Sequence, residues 1–207
     1  MKTLLQLNTS IHSNAGESSR LADQLVAAWR AGNRDAKVLS RDLAREPVPH
    51  LTAERFQAFL SKAGERTPEQ QAVVAYSDRL IAELKRADVI VLGLPMYNFG
   101  VPSMLKAYFD HIARAGVTFQ YTEKGAVGLL KGKTVYVVAA RGGIYAGTPM
   151  DTQTSYVRNF LGFLGITDVE FVYAEGLAIS ESSKQAALGR AKTFIELLTH
   201  QELPVAA

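Results

Sequence analysis

The feature of this sequence that most restricts its fold is a regular alternation between short apolar runs and longer amphipathic segments. The clearest run, residues 88–94, contains Val89-Ile90-Val91-Leu92, which is apolar on both faces of a strand. Such strands belong to parallel sheets that are covered on both sides. Weaker runs lie at residues 3–7, 38–39, 133–140 and 169–174. Five strands alternating with helices predict an α/β fold with a doubly wound parallel sheet and helices on both faces.

Three details of the segments between these runs are specific enough to test. Thr67-Pro68-Glu69-Gln70 has the residues of an N-terminal capping box, with proline at the first helical position. The helix that follows is expected to bury Val73, Tyr76, Leu80 and Leu84. The alternation over residues 117–122 predicts a strand-like excursion outside the main series.

The composition excludes several kinds of protein. There are no cysteines, so disulfides, thiolate zinc sites, cysteine nucleophiles and iron–sulfur clusters are ruled out. The net charge of +3, from 23 basic and 20 acidic residues, is spread along the chain without the basic stripe of a nucleic-acid-binding protein. No segment has the length of a membrane span or the pattern of a secretion signal. We expect a cytoplasmic protein that forms one domain over residues 1–207 and contacts neither nucleic acid nor membrane.

The histidines and acidic residues predict no metal or glycosidase site. His12, His50, His111 and His200 lack the spacing of metal ligands. No pair of carboxylates stands out in the way that glycosidase chemistry requires.

Serines and a glycine follow the first apolar run, immediately before a helix. They are Ser10, Ser13, Gly16, Ser18 and Ser19. A helix N-terminus carries free N–H groups and a partial positive charge, and hydroxyl groups add neutral donors, so this loop could hold one phosphate dianion. Neither G-x-G-x-x-G nor G-x-x-x-x-G-K-[ST] is present, which disfavours dinucleotides and nucleoside triphosphates here. A ligand with a single phosphate monoester, such as FMN, fits best.

Two considerations oppose this interpretation of the first loop. The same serines would serve as caps in an ordinary loop between strand and helix, with no ligand. Glu17 would also repel a phosphate unless its side chain turned to solvent while its N–H pointed inward. Phosphate binding therefore depends on the orientation of Glu17.

Two further loops are expected at the same edge of the sheet. The loop Pro95-Met96-Tyr97-Asn98-Phe99-Gly100-Val101-Pro102 is stiffened by its prolines and presents aromatic rings and an asparagine. The loop Ala140-Arg141-Gly142-Gly143-Ile144-Tyr145 has paired glycines, which allow a ligand to approach the backbone closely. A flat tricyclic ring needs such apolar contacts on its faces and hydrogen bonds along its polar edge. The alternatives are a surface aromatic cluster and an unliganded turn.

Several longer stretches match one known family in order over nearly the whole chain. They are Leu94-Pro95-Met96-Tyr97-Asn98-Phe99, Leu105-Lys106-Ala107-Tyr108-Phe109-Asp110, Arg114-Ala115-Gly116-Val117-Thr118-Phe119, Tyr121-Thr122-Glu123, Arg141-Gly142-Gly143, Phe160-Leu161-Gly162-Phe163 and Tyr173-Ala174-Glu175-Gly176. These stretches resemble the bacterial FMN-dependent NADH azoreductases, also called FMN-dependent NADH:quinone oxidoreductases. The resemblance implies a flavodoxin-like fold with sheet order 2-1-3-4-5, bound FMN, NADH or NADPH as hydride donor, and a homodimer with flavin sites at the subunit interface.

The resemblance also implies roles for individual residues. Ser10, Gly16, Glu17 and Ser18 would hold the ribityl phosphate; Pro95, Met96, Tyr97, Asn98 and Phe99 would flank the isoalloxazine; and Ala140, Arg141, Gly142, Gly143 and Tyr145 would line its polar edge. Phe99, together with Tyr121 and Phe163 from the partner subunit, would contact the substrate. Close relatives often have serine in place of Gly16, and some have serine or threonine in place of Ala140. We therefore expect one phosphate donor to be missing, and only backbone contact at Ala140.

The implied reaction is a two-electron transfer through the flavin. NADH or NADPH would give a hydride and leave, and an acceptor would bind at the same face, which predicts ping-pong kinetics. Quinones would be reduced to hydroquinones, and aromatic azo compounds would be cleaved to amines. No side chain need act as a nucleophile, although Asn98 and the N–H of Gly143 could stabilise charge on reduced flavin. Tyr97, Tyr121, Tyr145 and water are candidate proton sources.

Two other classes of protein stay open on the sequence alone. An electron-transfer flavodoxin would pass single electrons to protein partners, but such proteins are typically acidic and shorter. A phosphate-switched receiver domain would need clustered acidic residues after the first strand, where Asn8 and Thr9 stand instead. The sequence decides neither between NADH and NADPH nor which acceptor is the natural one.

Overall fold

The central strand of the sheet, β3 (Val89–Pro95), is buried along all 7 of its residues. The structure, a computed structural model, describes residues 1–201. β3 pairs in parallel with β1 (Thr3–Asn8) on one side and with β6 (Thr134–Ala140) on the other. β2 (Lys37–Asp42) and β7 (Asp168–Ala174) complete the order β2-β1-β3-β6-β7. Because β4 and β5 lie outside this sheet, the predicted five-stranded parallel sheet and its order 2-1-3-4-5 are confirmed.

The other elements are a hairpin and helices. The hairpin consists of β4 (Phe119–Thr122) and β5 (Gly125–Gly128), which pair antiparallel. The helices are α1 (Glu17–Gly32), α2 (Ala53–Leu60), α3 (Pro68–Arg86), α4 (Ser103–Ile112), α5 (Thr152–Phe163) and α6 (Glu181–Gln201). A short 3-10 turn at Ser13–Ala15 precedes α1.

Side chains that alternate along the strands pack into two cores, one on each face of the sheet. On one face, Ile90, Leu92 and Leu94 of β3 join residues of α3, α4 and α5. On the other face, Val89 and Val91 join residues of α1 and α6. Full burial of each large apolar side chain contributes roughly 1.5–3 kcal/mol. Helices therefore cover both faces, as the continuous apolar strand predicted.

Helix α3 begins as predicted but buries a slightly different face. Thr67 and Gln70 form the expected capping box. The buried residues are Val74, Ser77, Leu80, Ile81 and Leu84. Of the predicted face, Tyr76 packs partly buried against the core, and Val73 is only half-buried. Its neighbour Val74 is in helical register with the buried residues that follow, and the helix turns that valine inward instead.

The hairpin is attached at the amino-terminal edge of the sheet. The chain reaches it after α4, which runs antiparallel to the strands, and leaves it directly into β6. Gly128 of β5 packs against the turn that follows α5, where an added Cβ atom would lie 2.0 Å from the N atom of Gly165. The N–H of Leu130 donates to the Leu164 carbonyl at 2.8 Å. The predicted excursion over residues 117–122 thus contains the first strand of this hairpin.

We expect Gly128→Ala to lower the free energy of unfolding by about 1–3 kcal/mol, because an added methyl group would overlap the backbone at Gly165. Gly189→Ala is the matched control, since it lies in α6 with nothing within 4 Å of an added Cβ atom. Alanine favours the helix there and should stabilise the protein by about 0.5–1 kcal/mol. Urea unfolding measures both effects. Equal stability of the Gly128 variant and the parent protein would contradict the close contact.

Candidate functional site

The loops that follow β1, β3 and β6 meet at the carboxyl-terminal edge of the sheet, because these strands are parallel neighbours. Two adjoining cavities of about 680 and 260 Å³ open there, and Met96 and Asn98 line both. The larger cavity extends to Ile11, and the smaller extends to Gly143 and Tyr145. The three predicted loops therefore border one site.

Unpaired hydrogen-bond donors surround the start of α1. The first helical hydrogen bond runs from the Arg20 N–H to the Gly16 carbonyl at 3.0 Å, so the N–H groups of Glu17, Ser18 and Ser19 precede the helical ladder. The hydroxyl groups of Ser18 and Ser19 are buried and find no hydrogen-bond partner within residues 1–201. Buried polar groups without partners cost free energy. An anion bound here would satisfy groups that the fold itself leaves unpaired, which fits the phosphate of FMN.

The carboxylate of Glu17 is held by two cations. The Lys184 Nζ atom lies 2.8 Å from it, and an Arg20 guanidinium nitrogen lies 3.7 Å from it. The ion pair with Lys184 draws the carboxylate toward α6 and offsets its charge, while the Glu17 N–H stays at the helix start. The Glu17 side chain is thus not turned to solvent, and it is the pairing with Lys184 that would reduce its repulsion of a phosphate.

Gly16 and Ser10 share one space in the first loop. A Cβ atom at Gly16 would lie 2.2 Å from the Ser10 Oγ atom, so any larger residue would displace Ser10. The Ser10 hydroxyl accepts from the His12 N–H at 3.1 Å and lies 3.3 Å from the Tyr97 hydroxyl. The Tyr97 hydroxyl also accepts from the Ile11 N–H at 3.2 Å. Tyr97 therefore ties the loop after β3 to the loop after β1.

The loop after β3 turns back sharply on itself. Asn98 and Phe99 have positive φ angles of 49° and 61°. The main-chain groups of Tyr97 and Gly100 pair across this turn at 3.0 and 3.3 Å. Left-handed backbone is uncommon in residues other than glycine and is often found at functional sites. The turn holds Asn98 at the wall shared by the two cavities.

Two residues of α5 hold this loop in place, although no sequence motif marks them. Gln153 is fully buried, and its Nε2 group donates to the carbonyls of Pro95 and Gly100 at 2.9 Å each. The Thr152 hydroxyl donates to the Phe99 carbonyl. These contacts join segments that are distant in the chain, so only the folded structure reveals them.

The glycine loop after β6 has its peptide groups in one consistent orientation. The carbonyls of Arg141, Gly142 and Gly143 accept from N–H groups within residues 176–178, at 3.1, 3.0 and 2.8 Å respectively. In a trans peptide the N–H points opposite to the carbonyl, and no peptide bond in the described chain is cis. The N–H groups of the next residues, from Gly142 to Ile144, therefore point away from β7 and toward the loop after β3.

The Arg141 side chain lies beneath this loop and not at the cavity. It is 1% exposed, and its guanidinium donates to Glu175 at 3.0 Å and to Asp151 at 2.8 Å. It also lies 5.1 Å from the centre of the Tyr173 ring. Burial raises the pKa of Asp151, but hydrogen bonds from Arg141 and Thr154 outweigh burial and hold that pKa below its ordinary value. The Arg141 side chain thus supports the loop from below, and the placement of this residue along the ligand's polar edge stays a prediction.

Phe99 and Tyr145 form the rim of the smaller cavity. Their rings meet edge to face with centroids 5.5 Å apart, and Phe99 is 44% exposed. A Cβ atom at Gly143 would lie 2.5 Å from the Tyr145 hydroxyl oxygen, so a larger residue there would push aside the tyrosine ring that lies over the loop. The Ala140 carbonyl accepts from the Met96 N–H at 3.0 Å. Ala140 therefore links the two loops.

The structure does not bring Tyr121 and Phe163 to this site. Tyr121 lies in β4, and Phe163 is the last residue of α5, so both lie toward the opposite edge of the sheet. The Phe119 ring stands between them, with its centroid 5.4 Å from that of Tyr121 and 4.4 Å from that of Phe163. Tyr121 is 74% exposed, which leaves its ring available to another subunit.

Other kinds of site find no support in the described part of the chain. Across residues 1–201, no group of three or more histidine or acidic side chains is arranged to hold a metal ion. No helix over the same range combines the length and apolar character needed to cross a membrane. The donors at α1, the apolar rims and the N–H groups of the glycine loop together match a phosphate and a flat ring with a polar edge, as in FMN.

Comparison with known proteins agrees with this geometry. Residues 1–197 match the family described as having a flavodoxin-like fold. The chain is 57% identical over 196 residues to an FMN-dependent NADH:quinone oxidoreductase of Cellvibrio japonicus, covering 95% of this chain and 98% of that protein. It is 54% identical over 190 residues to a protein of the same name from Alcanivorax borkumensis, covering 92% of this chain and 96% of that protein.

Solved structures give the same result. An FMN-dependent NADH-azoreductase from Bacillus anthracis str. Ames Ancestor, in complex with FMN, has a TM-score of 0.89 at 28% identity, covering 98% of this chain and all of that chain. An azoreductase from Bacillus anthracis str. Sterne has a TM-score of 0.89 at 27% identity, with 97% of this chain covered. The predicted flavodoxin-like fold is confirmed.

We expect Ser18→Ala to weaken FMN binding about tenfold, because it removes a donor that has no protein partner. Riboflavin, which lacks the phosphate, should bind the variant and the parent protein equally well. Fluorescence titration with both flavins measures the difference. Ser182→Ala, at an exposed position in α6, is the control. Equal losses for FMN and riboflavin would show that this hydroxyl does not contact the phosphate.

Proposed function

Because the chain belongs to the family of the FMN-dependent NADH:quinone oxidoreductases, we propose that it passes electrons from NADH through FMN to quinones and to aromatic azo compounds. The observation that carries the proposal is the convergence of unpaired donors at one sheet edge. Buried hydroxyl groups and N–H groups that precede the helical ladder at the start of α1 could meet a phosphate, and the N–H groups of the glycine loop could meet the polar edge of a flat ring.

Bound FMN supplies hydride acceptance from the nicotinamide and two-electron delivery to the acceptor, so a quinone gains two electrons and two protons, and an azo bond needs two such rounds to give two amines. The protein's part is binding and electrostatics. N–H groups of Gly142 and Gly143 would meet the polar edge of the ring, where negative charge develops on reduction. Asn98 lies at the wall shared by both cavities, where its side chain could meet the same edge.

Met96 and Phe99 supply apolar contact at the same site. The two cavities adjoin and share Met96 and Asn98, so the nicotinamide and the acceptor would occupy the same space in turn. That alternation is the basis for ping-pong kinetics. NADH is taken as donor from the names of the relatives, and NADPH stays a prediction.

Among the candidate tyrosines, the contacts favour Tyr145 as a side-chain proton donor. Tyr145 lies at the smaller cavity beside Gly143. The Tyr97 hydroxyl is engaged by Ser10 and the Ile11 N–H, which ties it to the first loop. Water is the other source.

We also propose a homodimer in which each site is completed by Tyr121 and Phe163 of the other subunit. These residues lie toward the edge opposite their own site, and the exposed Tyr121 ring has room for a partner. An apolar groove of about 540 Å³, lined by Phe99, Val101 and Tyr156, lies next to the site on the surface of α4 and α5. An antiparallel pairing of two such surfaces would bring the hairpin of one subunit to the groove of the other.

Three further parts of the proposal follow from the sequence. The chain acts as one FMN-binding domain over residues 1–207, whose last residues, 202–207, lie outside the described part. It works in the cytoplasm. Its partners are small molecules and a second copy of itself, with no part for nucleic acid or membrane.

The reaction is tested with FMN-loaded protein in the absence of oxygen. We expect NADH to bleach the flavin absorbance completely and a quinone to restore it. Initial rates at several fixed quinone concentrations should give parallel double-reciprocal lines, since donor and acceptor share one site. Intersecting lines would contradict the shared site. Flavin absorbance that NADH leaves unchanged would contradict the proposed function and favour an electron-transfer flavodoxin.

The proposal that two subunits contribute to each site is tested by mixing two variants, each of which is expected to be inactive on its own. Gly143→Ala damages the glycine loop, because its Cβ atom would overlap Tyr145; Tyr121→Ala damages the contribution to the other subunit. In a mixed dimer, one site has an intact loop and an intact Tyr121, so unfolding and refolding the variants together should restore quinone reductase activity. Sedimentation velocity gives the oligomeric state. No recovery in mixed dimers would place Tyr121 in its own subunit's site.

A further inference from the structure

Glu175 is a buried carboxylate at the end of β7, outside every residue set predicted for the site. Its side chain is only 12% exposed. One of its oxygens, Oε1, accepts three hydrogen bonds, from the Tyr145 N–H at 2.9 Å, the Ala146 N–H at 2.9 Å and the Arg141 guanidinium at 3.0 Å. A single oxygen atom thus collects donors from both ends of the glycine loop.

The Glu175 contacts fix the part of the loop that other bonds leave free. Residues 176–178 hold the carbonyls of Arg141, Gly142 and Gly143. The next two residues, Ile144 and Tyr145, lie beyond these carbonyl contacts. Glu175 holds the N–H of Tyr145 and of the residue after it, so the loop is fastened on both sides of the glycines.

Arg141 keeps the carboxylate in place. Its guanidinium bridges Glu175 and Asp151, and the Thr154 hydroxyl accepts from it at 3.2 Å. Asp151 in turn caps α5 by accepting from the Thr154 N–H at 3.0 Å. Arg141, a residue of the same loop, therefore connects Glu175 to the N-terminus of α5.

We propose that Glu175 is a positioning residue for the cofactor: it fixes the loop so that the N–H groups of Gly142 and Gly143 meet the charge that develops on FMN when it is reduced. This inference rests on the proposed function, because it takes FMN as the ligand. Glu175 acts on the cofactor only by holding the loop in position. The inference therefore depends on how far the carboxylate oxygen extends toward the loop and not on its charge.

Reach and charge can be separated by two substitutions. Glu175→Asp keeps the charge but withdraws the oxygen by about 1.5 Å, one carbon–carbon bond. Glu175→Gln keeps an oxygen at the Oε1 position, where all three donors converge, and removes the charge. Asp151→Asn is the matched control. It removes a negative charge beside the same guanidinium, and it does not alter the carboxylate that accepts from Tyr145 and Ala146.

The experiment measures the midpoint potential of bound FMN against a reference dye, together with the Kd for oxidised FMN. We expect Glu175→Asp to weaken binding of reduced FMN about tenfold more than binding of oxidised FMN, which shifts the potential negative. Glu175→Gln and Asp151→Asn should leave the ratio of the two affinities close to that of the parent protein. The inference would be overturned if Glu175→Gln shifted the midpoint potential as far as Glu175→Asp does. It would also be overturned if Glu175→Asp left the ratio of the two FMN affinities unchanged.

Hydrogen exchange on the cofactor-free proteins separates this inference from the proposed function. The amides of Tyr145 and Ala146 should exchange faster in Glu175→Asp than in the parent protein or in Glu175→Gln. If the parent protein bound no FMN, the proposed function would fail, and with it the role of Glu175 toward the cofactor. If it bound FMN and exchange were equal in all variants, only the positioning role of Glu175 would fail.

Discussion

Burial of β3 on both faces is the constraint on which the rest of the structure depends. A strand with no exposed residue must have its main-chain groups paired on both sides, so β1 and β6 are held beside it in parallel. The chain leaves β1 toward one face of the sheet and leaves β3 toward the other, because α1 and α4 belong to different cores. The loops after these strands therefore diverge toward opposite faces of the sheet, and the candidate site is the cleft between them.

The two ends of the site stabilise negative charge by different means. At the start of α1, neutral hydroxyl and N–H groups are unpaired, and the carboxylate of Glu17 beside them is paired with Lys184. At the glycine loop, the buried Arg141 guanidinium is paired with two carboxylates beneath the loop. In the proposed complex, peptide N–H dipoles of fixed direction would face the ligand at both ends. Such preorganised dipoles need no rearrangement as charge develops.

Much of this could be predicted from the sequence, because the signals are local. Apolar runs predicted the strands, and the run in β3 predicted that helices cover both faces of the sheet. The capping box at Thr67 predicted the start of α3. Three loops with turn and donor residues predicted one edge of the sheet as the candidate site. Local pattern could not decide between the adjacent valines Val73 and Val74, since either completes an apolar face. Nor could it predict that the Arg141 side chain turns inward.

The residues that the sequence did not reveal are those whose partners are far away in the chain. Gln153 contacts carbonyls more than fifty positions earlier, and Glu175 contacts residues about thirty positions earlier. Neither belongs to a spacing pattern, and each is a polar residue that composition alone would assign to the surface. Their burial follows from the packing of α5 and β7 against the loops, which only the assembled sheet determines.

The contacts between the glycine loop and residues 176–178 also bear on the order in which the protein matures. The donors of the phosphate end lie near the start of the chain and leave the ribosome early, but Lys184, which pairs with Glu17 beside them, is made late. The ring end acquires its N–H direction only when the segment after β7 has been made and docked. Capture of the cofactor is therefore expected late in synthesis, after nearly the entire chain has emerged, so a truncated chain would have the donors at the start of α1 without Lys184 and without the geometry that binds the ring.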